Sequence, residues 1–119
     1  MTKTDITHIL SAWNEPDPDK RRAIVVAATT QNFVYDDVHK KAPITGQDAF
    51  LGFLDFFRSR VAGVTMAADS APDVLEGAAR MRFKLTRDGE IFSRGTYFVT
   101  LAEDGRIASL FGFMDQEPA

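Results

Sequence analysis

The stretch from Ala78 to Leu101, AARMRFKLTRDGEIFSRGTYFVTL, decides the fold. Apolar and basic residues alternate from Ala78 to Thr86, so every second side chain can face a core while its neighbours face water. Asp88-Gly89 is typical of the two-residue turn in a hairpin. The residues from Glu90 to Leu101 then predict a long partner strand, so this stretch indicates an antiparallel sheet with one buried face. The inward positions are Ala79, Met81, Phe83 and Leu85, and the outward row is Arg80, Arg82 and Lys84.

Two further strands extend this hairpin into a four-strand antiparallel meander. Val64 to Ser70 precedes it, and the turn Glu103-Asp104-Gly105 leads into a last strand from Arg106 to Met114. Gly95 and Gly112 lie inside the predicted strands, where glycine often marks a bulge or a bend.

Apolar spacing predicts two helices at the start of the chain. The first runs from about residue 4 to residue 13, because four apolar residues recur at i, i+3, i+4 and i+7. The second begins at Asp17, whose carboxylate can accept from free backbone N–H groups, and at Pro18, which needs no N–H in the first turn. Its expected buried face consists of Ile24, Ala27 and Ala28.

A strand and a third helix follow. Asn32 to Val38 is rich in β-branched and aromatic residues, which favours a strand. Thr45 to Asp48 matches the capping box that begins many helices, and Gly63 is a natural helix end. The apolar stripe of this helix contains Phe50, Leu54, Phe57 and Val61, with Phe53 beside it.

These elements predict a single α+β domain spanning residues 1–119, in which three helices pack against one bent, mostly antiparallel sheet. Proline is disfavoured inside helices and central strands, and all five prolines fall between the periodic segments, where they mark element boundaries. They are Pro16, Pro18, Pro43, Pro72 and Pro118.

Composition narrows the classes of partner. The net charge is −3, which does not suit non-specific binding to nucleic acid, and the absence of cysteine excludes disulfides and thiolate metal sites. The first residues contain no apolar signal core, and no apolar run is long enough to span a bilayer, so we expect a cytoplasmic protein without a membrane partner. Ten phenylalanines indicate either a large apolar core or an apolar cavity.

Local motifs resemble those of a known group. Trp13 to Pro18, followed by Lys20-Arg21-Arg22, resembles the joint between the first two helices of many bacterial SnoaL-like proteins. The segments Tyr35-Asp36-Asp37 and Ile44-Thr45-Gly46 resemble their strand end and the start of their third helix. The last matching segments are Asp104-Gly105-Arg106-Ile107 and Gly112-Phe113-Met114-Asp115.

In this order the motifs resemble the nuclear transport factor 2-like superfamily, in particular its SnoaL-like, polyketide cyclase-like members. The resemblance implies a cone-shaped sheet around an apolar pocket, closed by helices, and homodimers formed through the sheet. It leaves the function open, since this fold hosts isomerases, cyclases, dehydratases, hydrolases and proteins without catalysis.

Asp37 is the first candidate for catalysis. Neighbouring residues of a strand point to opposite faces, so at most one of Asp36 and Asp37 enters the pocket unless a bulge intervenes. Asp37 shares its face with Phe33 and Tyr35 and is the better inward candidate, and a carboxylate among aromatic rings suits general acid/base catalysis. The alternative is a carboxylate that caps the strand end and faces water.

Asp115 is the second candidate, because SnoaL-type cyclases use an aspartate near the end of the last strand as acid/base. The alternative is a solvated residue near the chain end. Steroid isomerases of the same fold stabilise an oxyanion with a helix tyrosine and a second donor. The position of that tyrosine falls near Ile9, which cannot donate, so this chain lacks most of their oxyanion hole. Their second oxyanion donor falls near Tyr97, which can donate.

Tyr97 or Tyr35 could polarise a ligand carbonyl, and His39 could orient the Asp37 carboxylate. No cofactor or metal is expected, because the sequence contains no two-histidine metal spacing, phosphate loop or GxGxxG motif. Three functions remain open: an isomerase, cyclase or dehydratase of an apolar carbonyl compound, a non-catalytic binder of an apolar metabolite, and a dimerisation module. The expected pocket lining is Trp13, Tyr35, His39, Phe53, Phe57, Met81, Phe83 and Phe113.

Overall fold

A seven-stranded sheet and three helices form the computed structural model, which describes residues 5–61 and 63–115. The helices are a 3₁₀-helix (Ile6–Trp13), α1 (Pro18–Ala28) and α2 (Gln47–Arg60). The strands are β1 (Thr29–Asp37), β2 (Ile44–Thr45), β3 (Val64–Ala68), β4 (Asp73–Leu75), β5 (Ala78–Arg87), β6 (Glu90–Leu101) and β7 (Ile107–Met114).

The sheet is open and mixed, with the order β2-β1-β7-β6-β5-β3 and with β4 paired to β5. β1 runs parallel to β7, and the other neighbours are antiparallel. The α+β prediction and the meander β3-β5-β6-β7 are therefore confirmed. β2 and β4 were not predicted, because strands of two and three residues are too short to show an alternating pattern.

The first helix lies where the apolar spacing predicts it, but it winds as a 3₁₀-helix. Its apolar side chains, from Ile6 to Trp13, are buried against the inner face of the sheet as part of the core. The Asp5 carboxylate caps it by accepting from the backbone N–H of Thr7 at 3.0 Å. Residue 4, its expected start, and Pro118 lie outside the described residues.

The predicted start of α1 is confirmed, because the Asp17 carboxylate accepts from the Asp19 N–H at 2.9 Å. The predicted buried face is partly wrong. Val25 and Arg21 are buried with Ala28, while Ala27 is exposed. Arg21 can lie on the buried face because its guanidinium donates to the backbone carbonyls of Glu15 and Pro16, just before the helix.

The capping box at the start of α2 is wrong. Gly46 is the N-cap residue, with φ of 96°, and no side chain caps the helix. Thr45 instead belongs to β2 and pairs with Val34. The Gln47 amide donates to the Thr29 hydroxyl at 3.0 Å, so it ties the helix to β1 rather than to its own first turn.

Gly95 and Gly112 mark close contacts rather than bulges, because the β6–β7 pairing runs without a shift past both. A Cβ on Gly95 would lie 2.7 Å from Cε1 of Phe83, and one on Gly112 would lie 2.7 Å from Cε1 of Tyr97. The two glycines let these rings lie flat on the inner face of the sheet. In the described part of the chain, no helix is long and apolar enough to cross a bilayer.

Candidate functional site

A cavity of about 420 Å³ lies between the inner face of the sheet and α2. This volume is in the range of small-molecule sites. Aromatic and aliphatic side chains form most of its wall, and its polar groups come from Tyr35, Tyr97, Asp37, His39 and Lys40. The other lining residues are Trp13, Phe53, Phe56, Phe57, Val61, Met66, Phe83, Leu85, Gly112 and Met114.

Three adjacent strands bring the central polar groups together. Tyr35 and Asp37 share the inner face of β1 because side chains of a strand alternate. In the register of the sheet, Asp37 pairs with Gly112 of β7, and Gly112 pairs with Tyr97 of β6. Because Gly112 has no side chain, Tyr97 and Asp37 approach each other across it.

The two tyrosines and the aspartate form one hydrogen-bonded chain. The Tyr35 hydroxyl donates to Oδ2 of Asp37 at 2.6 Å, and the Tyr35 and Tyr97 hydroxyl oxygens are 3.2 Å apart. Since the single proton of Tyr35 goes to Asp37, Tyr97 donates to Tyr35. The second carboxylate oxygen, Oδ1 of Asp37, accepts from the His39 backbone N–H at 2.7 Å.

Burial keeps both tyrosines neutral. It raises the pKa of Tyr97 far above its ordinary value, and the hydrogen bond with Tyr35 opposes this only in part. The pKa of Tyr35 is also raised, first by burial and then by the neighbouring Tyr97 and Asp37. At neutral pH the tyrosines can therefore donate hydrogen bonds but cannot act as bases, which leaves the Asp37 carboxylate as the proton acceptor of the chain.

Most residues expected at the pocket do line the cavity. They are Trp13, Tyr35, Asp37, His39, Phe53, Phe57, Phe83 and Tyr97. Asp36 lies on the opposite face of β1 from Asp37, and its carboxylate accepts from the Asp37 N–H at 2.9 Å. Ile9 is fully buried in the core and is not a lining residue.

Three of the expected residues lie elsewhere. Gly112 and Met114 face the cavity, so Phe113 between them faces outward on β7, and Asp115 follows directly after the strand. Phe113 is half-exposed and packs edge-on against Phe98, with ring centroids 5.6 Å apart. Oδ2 of Asp115 accepts from Arg82 at 2.8 Å on the outer face of the sheet. Met81 points inward but is buried in the core and does not reach the cavity.

Several residues that line the cavity were not predicted from the sequence. The alternation of the last strand was a signal for Met114, because it shares parity with Gly112. Lys40 lies in a polar connection with no periodic pattern, and Met66 reaches the cavity only through the pairing of β3 with β5. Neither residue could be assigned to the site before the fold was known.

Among residues 5–61 and 63–115, no group of three or more histidine, aspartate or glutamate side chains could hold a metal ion. The cavity itself is lined by one carboxylate, Asp37, and one imidazole, His39. A carboxylate, an imidazole and two tyrosine hydroxyls can transfer protons and form hydrogen bonds next to an apolar surface.

Several solved structures are similar to this chain. A candidate isomerase of the SnoaL-like family from Agrobacterium tumefaciens is 30% identical, with a TM-score of 0.85, over 93% of this chain and 95% of that chain. An NTF2-like protein of unknown function from Exiguobacterium is 16% identical, with a TM-score of 0.75, over 96% of this chain and 100% of that chain.

A candidate SnoaL-like polyketide cyclase from Jannaschia is 15% identical, with a TM-score of 0.70, over 97% of this chain and 91% of that chain. The Exiguobacterium and Jannaschia proteins share the fold, while the likeness to the Agrobacterium protein extends to sequence along nearly the whole of both chains. No protein-family model and no curated protein sequence matches the chain.

Proposed function

We propose the following function for this chain, which belongs to the SnoaL-like family. It binds a small, largely apolar carbonyl compound in its cavity and rearranges it by proton transfer, as an isomerase, cyclase or dehydratase does. Asp37 is the general acid/base, and Tyr97 is the hydrogen-bond donor to the carbonyl. The observation that carries this proposal is the chain Tyr97–Tyr35–Asp37 at the wall of an otherwise apolar cavity.

The wall of the cavity supports binding of an apolar body. Aromatic rings surround it, and Trp13 packs within 5.8 Å of Tyr97 and 5.5 Å of Phe50, measured between ring centroids. A ligand that fills such a space removes apolar surface from water on both sides, which stabilises the complex.

The hydrogen-bonded chain supports enolate chemistry. The Asp37 carboxylate takes a proton from the carbon next to the carbonyl, and the electrons of that C–H bond form a carbon–carbon double bond. Negative charge then develops on the carbonyl oxygen. The neutral Tyr97 hydroxyl has one proton, which it turns from Tyr35 to this oxygen when the ligand is bound. Return of the proton from Asp37 to another carbon completes an isomerisation, and Tyr35 holds Asp37 in place between the two steps.

Enolate formation can be tested without knowing the natural substrate. Cyclic ketones are first screened for binding through the fluorescence of Trp13, the single tryptophan of the chain. Bound ketones are then incubated in D₂O, and exchange of the protons next to the carbonyl is followed by NMR. We expect Asp37→Asn to slow this exchange by about 10²-fold or more, because removal of a positioned base costs that much.

Asp36→Asn is the matched control, because Asp36 is the adjacent residue on the outer face. The amide oxygen of the substituted side chain can still accept from the Asp37 N–H. This variant should exchange at the rate of the unchanged protein. If ketones bind but the unchanged protein exchanges no faster than buffer, or if Asp37→Asn exchanges normally, the proton-transfer proposal is wrong and the cavity is a binding site only.

We also propose that the chain forms a homodimer through the outer face of the sheet. Phe98, Phe111 and Phe113 are exposed there by 47%, 36% and 50%, and Phe98 pairs with Phe111 across β6 and β7. A contiguous aromatic patch of this kind is typical of protein interfaces. Phe98→Asp should shift the protein from dimer to monomer in sedimentation velocity, whereas Val26→Asp, an exposed position on α1, should not. A protein that sediments as a monomer without any substitution would refute this assembly.

A further inference from the structure

We infer that the ligand carries an anionic group, in the simplest case a carboxylate, which binds Lys40 at the mouth of the cavity. This inference rests on the proposed binding of a small molecule, but not on the proposed catalysis. Three features carry it: a groove that continues the cavity, a lysine at their junction, and a carboxylate on the inner side.

The cavity does not end at α2. An outer groove of about 550 Å³ shares three lining residues with it, Lys40, Phe53 and Phe56. The rest of the groove is formed by Pro43, Ile44, Thr45 and Ala49. A ligand longer than the inner cavity can therefore extend past the two phenylalanines into the groove, and it must then pass Lys40.

Lys40 is available to bind an anion. Its Nζ lies 5.4 Å from the centroid of the Phe53 ring, and in the described part of the chain it forms no salt bridge. A cation over an aromatic face gains a modest attraction but keeps its capacity to donate hydrogen bonds. Its backbone N–H donates to the Asp37 carbonyl at 3.1 Å, which holds the lysine next to the end of β1.

A second cation lies near the junction. The guanidinium carbon of Arg60 is 4.9 Å from the centroid of the Phe56 ring, although Arg60 itself lines neither the cavity nor the groove. Lys40 is therefore the cation that an anionic group of the ligand meets at the mouth.

The charge inside the cavity sets the orientation of such a ligand. The Asp37 carboxylate repels an anion placed deep in the cavity, while Lys40 attracts one placed at the mouth. The apolar body therefore enters first and the anionic group stays outside. This orientation directs the neutral end of the ligand, which is the end that can react, toward Tyr97, Tyr35 and Asp37.

A pair of isosteric probes tests the inference. 2-Naphthoate and 2-naphthamide share one ring system, but only the naphthoate is charged at pH 7. Binding is measured by NMR from the indole N–H signal of Trp13, which lines the cavity. We expect naphthoate to bind about fivefold tighter than naphthamide, the effect of a half-exposed ion pair. Lys40→Met should remove this difference, so that the two probes bind this variant with equal affinity.

Lys41→Met is the charge-matched control, because Lys41 is exposed and lines neither space. It should preserve the preference for naphthoate. If naphthamide binds as tightly as naphthoate, or if the two lysine variants behave alike, the anion site is refuted while binding to the cavity stands. If neither probe shifts the Trp13 signal, both the binding proposal and this inference are overturned.

Discussion

Gly112→Ala tests whether one missing side chain holds the hydrogen-bonded chain in place. A Cβ at this position would lie 2.7 Å from Cε1 of Tyr97 and 3.2 Å from Cβ of Asp37. Ordinary contact begins at 3.4 Å, so the tyrosine ring must retreat by about 0.7 Å. The Tyr35 and Tyr97 oxygens are already 3.2 Å apart, and a shift of this size is enough to carry them beyond hydrogen-bonding distance.

We expect two consequences of this substitution. Overpacking of the inner face should lower the free energy of unfolding by about 1–3 kcal/mol. Displacement of Tyr97 and Asp37 should also slow the proposed proton exchange by about 10²-fold, since misplacement of catalytic groups by about 1 Å has effects of that order. Urea unfolding followed by Trp13 fluorescence measures the first effect, and deuterium exchange into a bound ketone measures the second.

Gly52→Ala provides the matched control for Gly112→Ala. Gly52 is exposed in α2, and a Cβ there meets no atom within 4 Å. This variant should be more stable than the unchanged protein by about 0.5–1 kcal/mol, because alanine restricts the unfolded chain and favours the helix. If Gly112→Ala is as stable and as active as the unchanged protein, the role assigned to Gly112 is wrong.

Two further predictions concern buried polar groups. The pKa values of Tyr35 and Tyr97 are raised from 10.0 in the folded state, so folding is favoured below pH 10 and this contribution is lost as the pH rises further. Absorbance at 295 nm should therefore show no phenolate until the chain unfolds in alkali, and titration of the folded protein with a midpoint near pH 10 would contradict the burial argument. Arg21 is 5% exposed, and it donates to the Glu15 carbonyl at 3.0 Å and also to Asp55. Arg21→Met should lower the free energy of unfolding by about 2–3 kcal/mol, because it leaves a backbone carbonyl without its donor, and urea unfolding no different from that of the unchanged protein would refute this.

Local patterns predicted most of the elements but not every cap. Asp17 and Pro18 begin α1 as their chemistry requires, because a carboxylate cap depends only on the next few residues. The capping box at Thr45 failed because β2 pairs Thr45 with Val34, a residue eleven positions earlier, and a motif of four residues carries no information about that contact. A segment can thus pair with a distant strand in place of forming the cap that its local motif predicts.

The alternation of side chains along a strand also predicted which residues face inward. It placed Asp37 on the inner face and Asp36 on the outer face, since the two faces of a strand alternate without exception where no bulge intervenes. Applied to the last strand, the same rule puts Asp115 outside once Gly112 is known to lie inside. The resemblance to cyclases favoured Asp115 instead, and the pairing with Arg82 shows that here the carboxylate has another partner.

The sequence by itself determined the α+β class, the meander, the two N-terminal helices and the inward set of side chains on β5, because these follow from periodicity and turn chemistry within a few residues. Only the tertiary structure decided which inward side chains meet. Tyr35, Asp37 and Tyr97 join across Gly112 because β1 runs parallel to β7, a pairing between segments more than seventy residues apart. Lys40 lines the same cavity, with its ammonium 5.4 Å from the ring centroid of Phe53 on α2. Such contacts depend on the register between distant segments, which no local pattern encodes.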